Sequence, residues 1–173
     1  VNCSSSIHED CVHGTHVACI AAGKKYNNGT YNLRGVAPNA NIIAIQIFTK
    51  TASGIEAYKQ NYIDALIHVF DLRNSYNIAS VNMSIGSLEG YTSTSDCDSL
   101  NPSIKAAIGQ LSSVGIATVI SSGNGDSNQN GYINALSEPA CISSAVSVGA
   151  TNMYLGTEEV AGYSNSASFL SLL

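Results

Sequence analysis

The sequence predicts an α/β fold of three layers, α/β/α, in which helices cover both faces of a mainly parallel central sheet. Apolar residues make up 45% of the 173 residues and charged residues only 11%, a composition that fills a sizeable core. Strand-like and helix-like segments alternate along the chain, which is typical of a parallel sheet. One strand-like segment, residues 41–48, is almost continuously apolar, as in sheets buried on both faces. We expect a single domain over residues 1–173.

The first predicted element is a helix that starts at the histidine pair His13 and His16 and ends at Gly23, a typical residue after a helix. Its apolar positions recur at helical spacing. Residues 24–34, rich in Asn, Tyr and Gly, predict a loop, and residues 35–40 a turn. Residues 41–48 are nearly all apolar and predict a buried strand.

A second helix is predicted from Ser53, a capping residue with Glu56 three positions on, to about Arg73. Residues 78–84 predict a strand that Gly86 ends, and residues 87–100 a long loop. A third helix is predicted after the cap Asn101, with Pro102 at the first helical position and Gly115 after its end. Strands are then predicted at 116–121 and 145–150, with short ones near 160–163 and the C-terminus. The predicted core faces of the second and third helices are Tyr58, Tyr62, Ala65, Leu66, Val69 and Phe70, and Ile104, Ala107, Ile108, Leu111 and Val114.

Polar residues at the carboxyl ends of two predicted parallel strands indicate a site, because ligands bind at that edge of such sheets. Ser84 follows one strand and Asn124 follows the other, in a turn between glycines. A side-chain amide in such a turn can donate a hydrogen bond to a developing oxyanion. His13 adds an imidazole, which can accept a proton and return it near neutral pH. Each of these residues taken alone would more commonly have a structural role. Their combination favours a catalytic site.

Five blocks of the sequence occur in an order that covers nearly the whole chain. They are His13-Gly14-Thr15-His16-Val17-Ala18, Arg34-Gly35-Val36-Ala37-Pro38, Asn82-Met83-Ser84-Ile85-Gly86, Ser122-Gly123-Asn124 and Tyr163-Ser164-Asn165-Ser166. Together these blocks resemble the subtilisin-like serine proteases, the subtilases. The resemblance implies a subtilisin-like fold and a serine endopeptidase that hydrolyses peptide bonds through an acyl-enzyme with an Asp-His-Ser triad.

The resemblance assigns His13 as the general base and Asn124 as the oxyanion donor. It assigns Ser84, Ile85 and Gly86 to a substrate-pairing wall of the main specificity pocket, and Ser121, Ser122 and Gly123 to the opposite wall. The two glycines leave room for a substrate side chain. Two positions depart from the family pattern: Val12, where a small or polar residue is usual, and Cys19, where glycine is usual.

The motifs of the triad Asp and Ser do not occur in the sequence, and the resemblance places them before Val1 and after Leu173. We therefore expect residues 1–173 to be a partial subtilase catalytic domain, truncated at both ends and inactive by itself. The alternative from another class is a catalytically inactive, subtilase-like binding domain, a pseudoprotease.

Charge and cysteine content bear on the partners and the compartment. The net charge of −5, with only seven Lys and Arg, argues against nucleic acid, and no apolar run is long enough to span a membrane. The implied partner is a polypeptide substrate, with a propeptide or a protein inhibitor as further candidates. Five cysteines favour a secreted or cell-surface protein with the disulfides Cys3–Cys11 and Cys97–Cys141 and a buried free thiol at Cys19. Fully reduced cysteines remain the alternative.

No metal ligands are assigned. Residues 8–16 are rich in His, Cys and acidic residues but lack the HExxH spacing of zinc enzymes. Residues 126–131 match the first half of a calcium-binding EF-hand loop, whereas Glu138 falls one place beyond the position of its bidentate acid. A structural calcium ion therefore remains an alternative to a simple polar loop. The catalysis that the resemblance implies requires no cofactor.

Overall fold

A computed structural model describes residues 9–52, 54–125, 131–154 and 157–173. The chain divides into two compact units, one up to Ala65 and the other from Leu66. The first unit contains α1 (Glu9–Ala22), β1 (Tyr26–Asn27), β2 (Asn32–Leu33), β3 (Thr49–Thr51) and β4 (Gly54–Glu56), and α2 (Lys59–Leu72) includes the boundary. The second unit contains β5 (Ser80–Met83), β6 (Gly90–Tyr91), α3 (Thr94–Leu100), α4 (Pro102–Ser113), β7 (Ala117–Ser121), β8 (Leu136–Ser137), β9 (Val146–Val148), β10 (Thr151–Tyr154) and β11 (Thr157–Val160).

The predicted parallel sheet is confirmed in the second unit, where β7 lies between β5 and β9 and pairs with both in parallel. Ile120 of β7 is opposite Met83 on one side and Ser147 on the other. A parallel bridge between Val148 and Leu172 continues the pairing beyond β9, near the predicted C-terminal strand. The short strand predicted near 160–163 is displaced: β11 ends at Val160, and residues 161–163 belong to no strand.

The helix α4 supplies much of the core of this unit. Its predicted inward residues Ile104, Ala107, Ile108 and Leu111 are all buried, whereas Val114, at the end of the helix, is 45% exposed and was wrongly predicted as core. Pro102 occupies the start of α4 as predicted, and Gly115 follows it with a φ of 80°. Asn101 stands at the cap position, but its side chain donates to the carbonyl of Cys97 at the end of α3 instead.

The helix α1 begins at Glu9, so the prediction that it starts at the histidine pair is wrong, and its end before Gly23 is confirmed. Its last carbonyls are satisfied by the turn that follows β2. The backbone N–H groups of Gly35, Val36 and Ala37 donate to Gly23, Ile20 and Ala21, at 2.8–2.9 Å. Gly35 approaches so closely that an added Cβ would collide with the backbone nitrogen of Gly23. Glycine is therefore required there by space.

Residues 41–48 are not a buried strand, contrary to the prediction. Among the described residues they belong to no ladder, and Ile42 and Ile43 are 50% and 45% exposed. A strand requires a partner with free hydrogen-bonding groups, and an apolar pattern records the tendency to be buried without recording that partner. The pattern therefore could not establish the strand.

The start of α2 was also predicted wrongly. Ser53 lies outside the described residues, and Gly54–Glu56 pairs with β3 in a hairpin, so the helix begins at Lys59. Tyr58 consequently precedes the helix and is 53% exposed, whereas Tyr62, Leu66 and Val69 are buried as predicted. The predicted loop over residues 24–34 contains a second hairpin, β1–β2.

The predicted long loop at 87–100 instead holds β6 and α3. Ser93 caps α3, because its Oγ accepts the backbone N–H of Asp96 at 3.2 Å. Cys97 in this helix forms the predicted disulfide with Cys141, across 44 residues of chain. The predicted Cys3–Cys11 disulfide lies outside what the structure describes.

Asp98, next to this disulfide, fastens the same two segments together. Its carboxylate accepts the backbone N–H of Ser143 at 3.0 Å and the Ser143 hydroxyl at 2.7 Å, and it pairs with the ammonium of Lys105 at 2.7 Å. Burial raises the pKa of Asp98, but the hydrogen bonds from Lys105 and Ser143 outweigh it and hold that pKa below its ordinary value. The ionised carboxylate therefore stabilises the fold.

We expect Asp98→Asn to lower the free energy of unfolding by about 1–2 kcal/mol at pH 7, because charge-assisted hydrogen bonds are lost. The difference from wild type should be constant above the ordinary aspartate pKa of about 4. It should shrink as the pH falls through the lower folded-state pKa, because the wild-type carboxyl is then protonated too. Urea unfolding at a series of pH values measures this. Asp71→Asn, at an exposed site in α2, is the control, and a loss that does not change with pH would contradict the assignment.

Candidate active site

A cavity of about 210 Å³ opens at the carboxyl ends of β5, β7 and β9, where the sequence placed the site. Its lining in the described chain carries no charged side chain. The lining comprises Asn82, Ser84, Val119, Ile120, Ser121, Ser122, Gly123, Asn124, Val148, Gly149 and Ala150. Five of the predicted site residues, Ser84 and Ser121 through Asn124, are thus brought together around one uncharged space.

The other two predicted wall residues, Ile85 and Gly86, are not among the residues that line this cavity. The carbonyl of Ile85 accepts a hydrogen bond from the Ser121 hydroxyl at 3.1 Å, which ties the ends of β5 and β7 together. The Ser84 hydroxyl accepts from the amide of Asn82 at 3.1 Å. Gly86 faces Ser137, and a Cβ added to this glycine would lie 3.3 Å from the Cβ of Ser137.

Ser137 is a residue that the sequence did not single out. It approaches both predicted pocket glycines, because a Cβ on Gly123 would also collide with its hydroxyl and with the side-chain nitrogen of Asn165. Its backbone N–H donates to the carbonyl of Ser122 at 2.9 Å. The space beside Gly123 is therefore already occupied by protein, and the prediction that this glycine leaves room for a substrate side chain is wrong. Only tertiary contacts reveal this, because Ser137 lies in a two-residue strand without a periodic pattern.

Asn124 lies at the rim of the cavity and is exposed to solvent. Gly123 and Gly125, on either side, have φ angles of 113° and 94°, which side chains strongly disfavour. The glycines that bracket Asn124 are thus required by the backbone of the turn. An amide with a free approach from solvent and a fixed turn on both sides is suited to donate a hydrogen bond to a ligand in the cavity.

His13 lies in α1, in the first unit, and both it and His16 are exposed. A groove of about 400 Å³ in this unit is lined by α1 residues, including Cys19, together with Ile42 and Ala44. Cys19 is free and exposed, so its predicted burial is wrong: the small-residue face of α1 borders this groove and not a packed core. The convergence of His13 and Asn124 on one site stays a prediction.

The suggested calcium loop falls mainly on residues 126–130, outside the described chain, and stays a prediction. Within the described ranges, no group of three or more His, Cys, Asp or Glu side chains is arranged to hold a metal ion. Nor does any helix in these ranges have the length and apolar character needed to cross a membrane.

A model of the subtilase family matches residues 2–170. The chain belongs to the subtilase family. This subtilase is 34% identical over 152 residues to the minor extracellular protease Epr of Bacillus subtilis (strain 168), a match covering 88% of the chain and 20% of Epr. It is 29% identical over 161 residues to subtilisin E of the same organism, covering 93% of the chain and 36% of that protein. The chain thus spans about a third or less of these relatives.

Among solved structures, this subtilase resembles the S41 psychrophilic protease, with a TM-score of 0.64 and 26% identity over 88% of the chain and 44% of that protein. The similarity confirms the predicted three-layer α/β/α, subtilisin-like fold.

We expect Gly123→Ala to lower the free energy of unfolding by about 2–4 kcal/mol, because the methyl group would strain a backbone with positive φ and overlap Ser137 and Asn165. Gly162→Ala is the matched control, because an added Cβ there meets no atom within 4 Å. It should change stability by less than about 1 kcal/mol. Urea denaturation compares the two variants. Equal losses of stability would contradict the steric conflict expected at Gly123.

Proposed function

We propose that the protein carrying this chain is a serine endopeptidase that hydrolyses peptide bonds through an acyl-enzyme. Membership of the subtilase family supports this, as do two relatives whose names are those of proteases. Because the chain spans only 20% and 36% of those relatives, the activity is proposed for the whole protein and not for residues 1–173 alone.

The observation that carries the proposal is the uncharged cavity at the edge of the sheet, bordered by Ser84 and by Ser121 through Asn124. A polypeptide in extended form can pair its backbone with exposed strand-end groups and place a side chain in a pocket. Residues 84–86 would provide the pairing edge, and residues 121–123 the opposite wall. Substrate recognition there would depend on backbone hydrogen bonds and shape, because the lining formed by the described residues carries no charged side chain.

In the proposed reaction, His13 removes the proton from a serine hydroxyl as the oxygen attacks the peptide carbonyl, and then returns that proton to the leaving amine. The side-chain N–H of Asn124 donates to the oxyanion of the tetrahedral intermediate. The serine and the aspartate that orients His13 would come from parts of the protein outside residues 1–173. This chemistry needs no cofactor.

We also propose that the protein is secreted or displayed at the cell surface. The Cys97–Cys141 disulfide supports an oxidising compartment, and the relative Epr is named as extracellular. A propeptide or a protein inhibitor would bind the same sheet edge as the polypeptide substrate.

His13→Ala should lower kcat for peptide hydrolysis by about 10⁶-fold while leaving the free energy of unfolding nearly unchanged, since the side chain is exposed. This magnitude follows the effect of losing the triad histidine in subtilisin itself. His68→Ala, at an exposed position in α2, is the control and should retain activity. Turnover of a peptide p-nitroanilide by the protein carrying this chain measures both. A wild-type protein that binds peptides without cleaving them would favour the pseudoprotease alternative.

Asn124→Leu should lower kcat by about 10²- to 10³-fold and leave KM within a fewfold of wild type, because the amide acts only when the oxyanion forms. The magnitude is the one known for removal of the corresponding donor in subtilisin. Asn74→Leu, at an exposed position after α2, serves as control. Steady-state kinetics separate the two constants, and a change confined to KM would refute the oxyanion role.

A further inference from the structure

Asn165 is a fully buried amide in the fifth block that resembles the subtilases, and the neighbouring sequence indicates no particular role for it. Its Oδ1 accepts the backbone N–H groups of Gly125 at 2.8 Å and Ile133 at 3.1 Å. Its Nδ2 donates to the Ser137 hydroxyl at 3.2 Å and to the Gly125 carbonyl at 3.4 Å. Two N–H donors on one side fix that side as the oxygen, so the orientation of the amide follows from its partners.

Asn165 is hydrogen-bonded to the residues on both sides of Asn124, Gly123 and Gly125. In addition to the side-chain bonds to Gly125, the backbone N–H of Asn165 donates to the carbonyl of Gly123 at 3.0 Å. The residue before Asn124 and the residue after it are thus bound to a single residue about 40 positions further along the chain. Asn124 itself remains exposed at the rim of the cavity.

The turn needs such a support because it lies beyond the end of the β7 ladder. Gly123 and Gly125 both have positive φ, a conformation that flexible glycines leave readily. Buried backbone groups outside a ladder require other partners, and each one left without a partner costs about 1–3 kcal/mol. Asn165 supplies those partners from a rigid, buried position and thereby restricts where the Asn124 peptide can lie.

We propose that Asn165 is a positioning residue that fixes the oxyanion donor Asn124, and this inference rests on the proposed function. It does not touch the substrate. It acts by keeping the Asn124 amide where the oxyanion forms, which matters because a displacement of about 1 Å can cost about 10²-fold in rate.

A double-mutant cycle tests this in the protein that carries the chain. Asn165→Ala should lower kcat by about 10- to 100-fold with KM within about threefold. In an Asn124→Leu background, the same change should lower kcat by less than about threefold, because the donor it positions is already absent. Equal losses in the two backgrounds, an unchanged kcat, or an effect on KM alone would overturn the inference.

Asn101→Ala is the matched control, because Asn101 is also a buried asparagine of the second unit and its amide holds the end of α3. It should lower stability with a small loss of kcat that is the same in both backgrounds. If Asn165→Ala fails to fold, Asn165→Ser replaces it, since the hydroxyl keeps the site polar.

Amide hydrogen exchange provides a readout that does not depend on activity. The N–H groups of Gly125 and Ile133 should exchange at least about 10-fold faster in Asn165→Ala but not in Asn101→Ala, and unchanged exchange would overturn the positioning step. An inactive wild-type protein would remove the proposed function, and with it the catalytic role of Asn165. An active wild type with an unaffected Asn165→Ala variant would remove this inference alone.

Discussion

The parallel register of β7 between β5 and β9 is the constraint on which the site depends. It brings three strand ends to one edge, so residues separated by many positions in the chain line a single cavity. Where the ladder stops, the backbone needs new partners, and distant segments provide them. Ser122 donates to the carbonyl of Val148 at 2.8 Å, and Ser137 donates to Ser122 in turn. The shape of the site is therefore a consequence of how the chain satisfies its hydrogen bonds after leaving the sheet.

The segment over residues 137–143, which begins beside the turn of Asn124, is bound to α3 at its C-terminal end. Ser137 packs against Gly123, and a few residues further on Cys141 and Ser143 are bound to α3 by the disulfide and by Asp98. A covalent link and charge-assisted hydrogen bonds thus limit the movement of a segment that contacts the turn of Asn124. Support of this kind makes a site rigid without placing further residues in it.

The sequence predicted well those elements whose patterns are local. The strands predicted at 78–84, 116–121 and 145–150 are β5, β7 and β9, and proline and glycine marked the ends of α4. It failed where a distant partner decides the structure. Residues 41–48 pair with no other part of the described chain, Gly54–Glu56 pairs in a hairpin instead of starting a helix, and Cys19 lies at an open groove. The same limit applied to the site. Strand ends and glycines indicated Ser84 and Asn124, whereas Ser137 and Asn165 act through tertiary contacts that no spacing encodes.

The absence of charged side chains from the described lining has a consequence for the proposed chemistry. With no charged side chain in the described lining, an oxyanion there would be stabilised by dipoles, such as the Asn124 amide. A dipole stabilises a developing charge only if it already points at it, since reorienting it during the reaction costs part of the gain. The rate would then be sensitive to small displacements of the turn. That sensitivity is a reason for the buried Asn165 to hold the turn of the exposed Asn124. Because the Asn124 side chain must stay accessible to the substrate, its position can be restricted only through the backbone on either side of it.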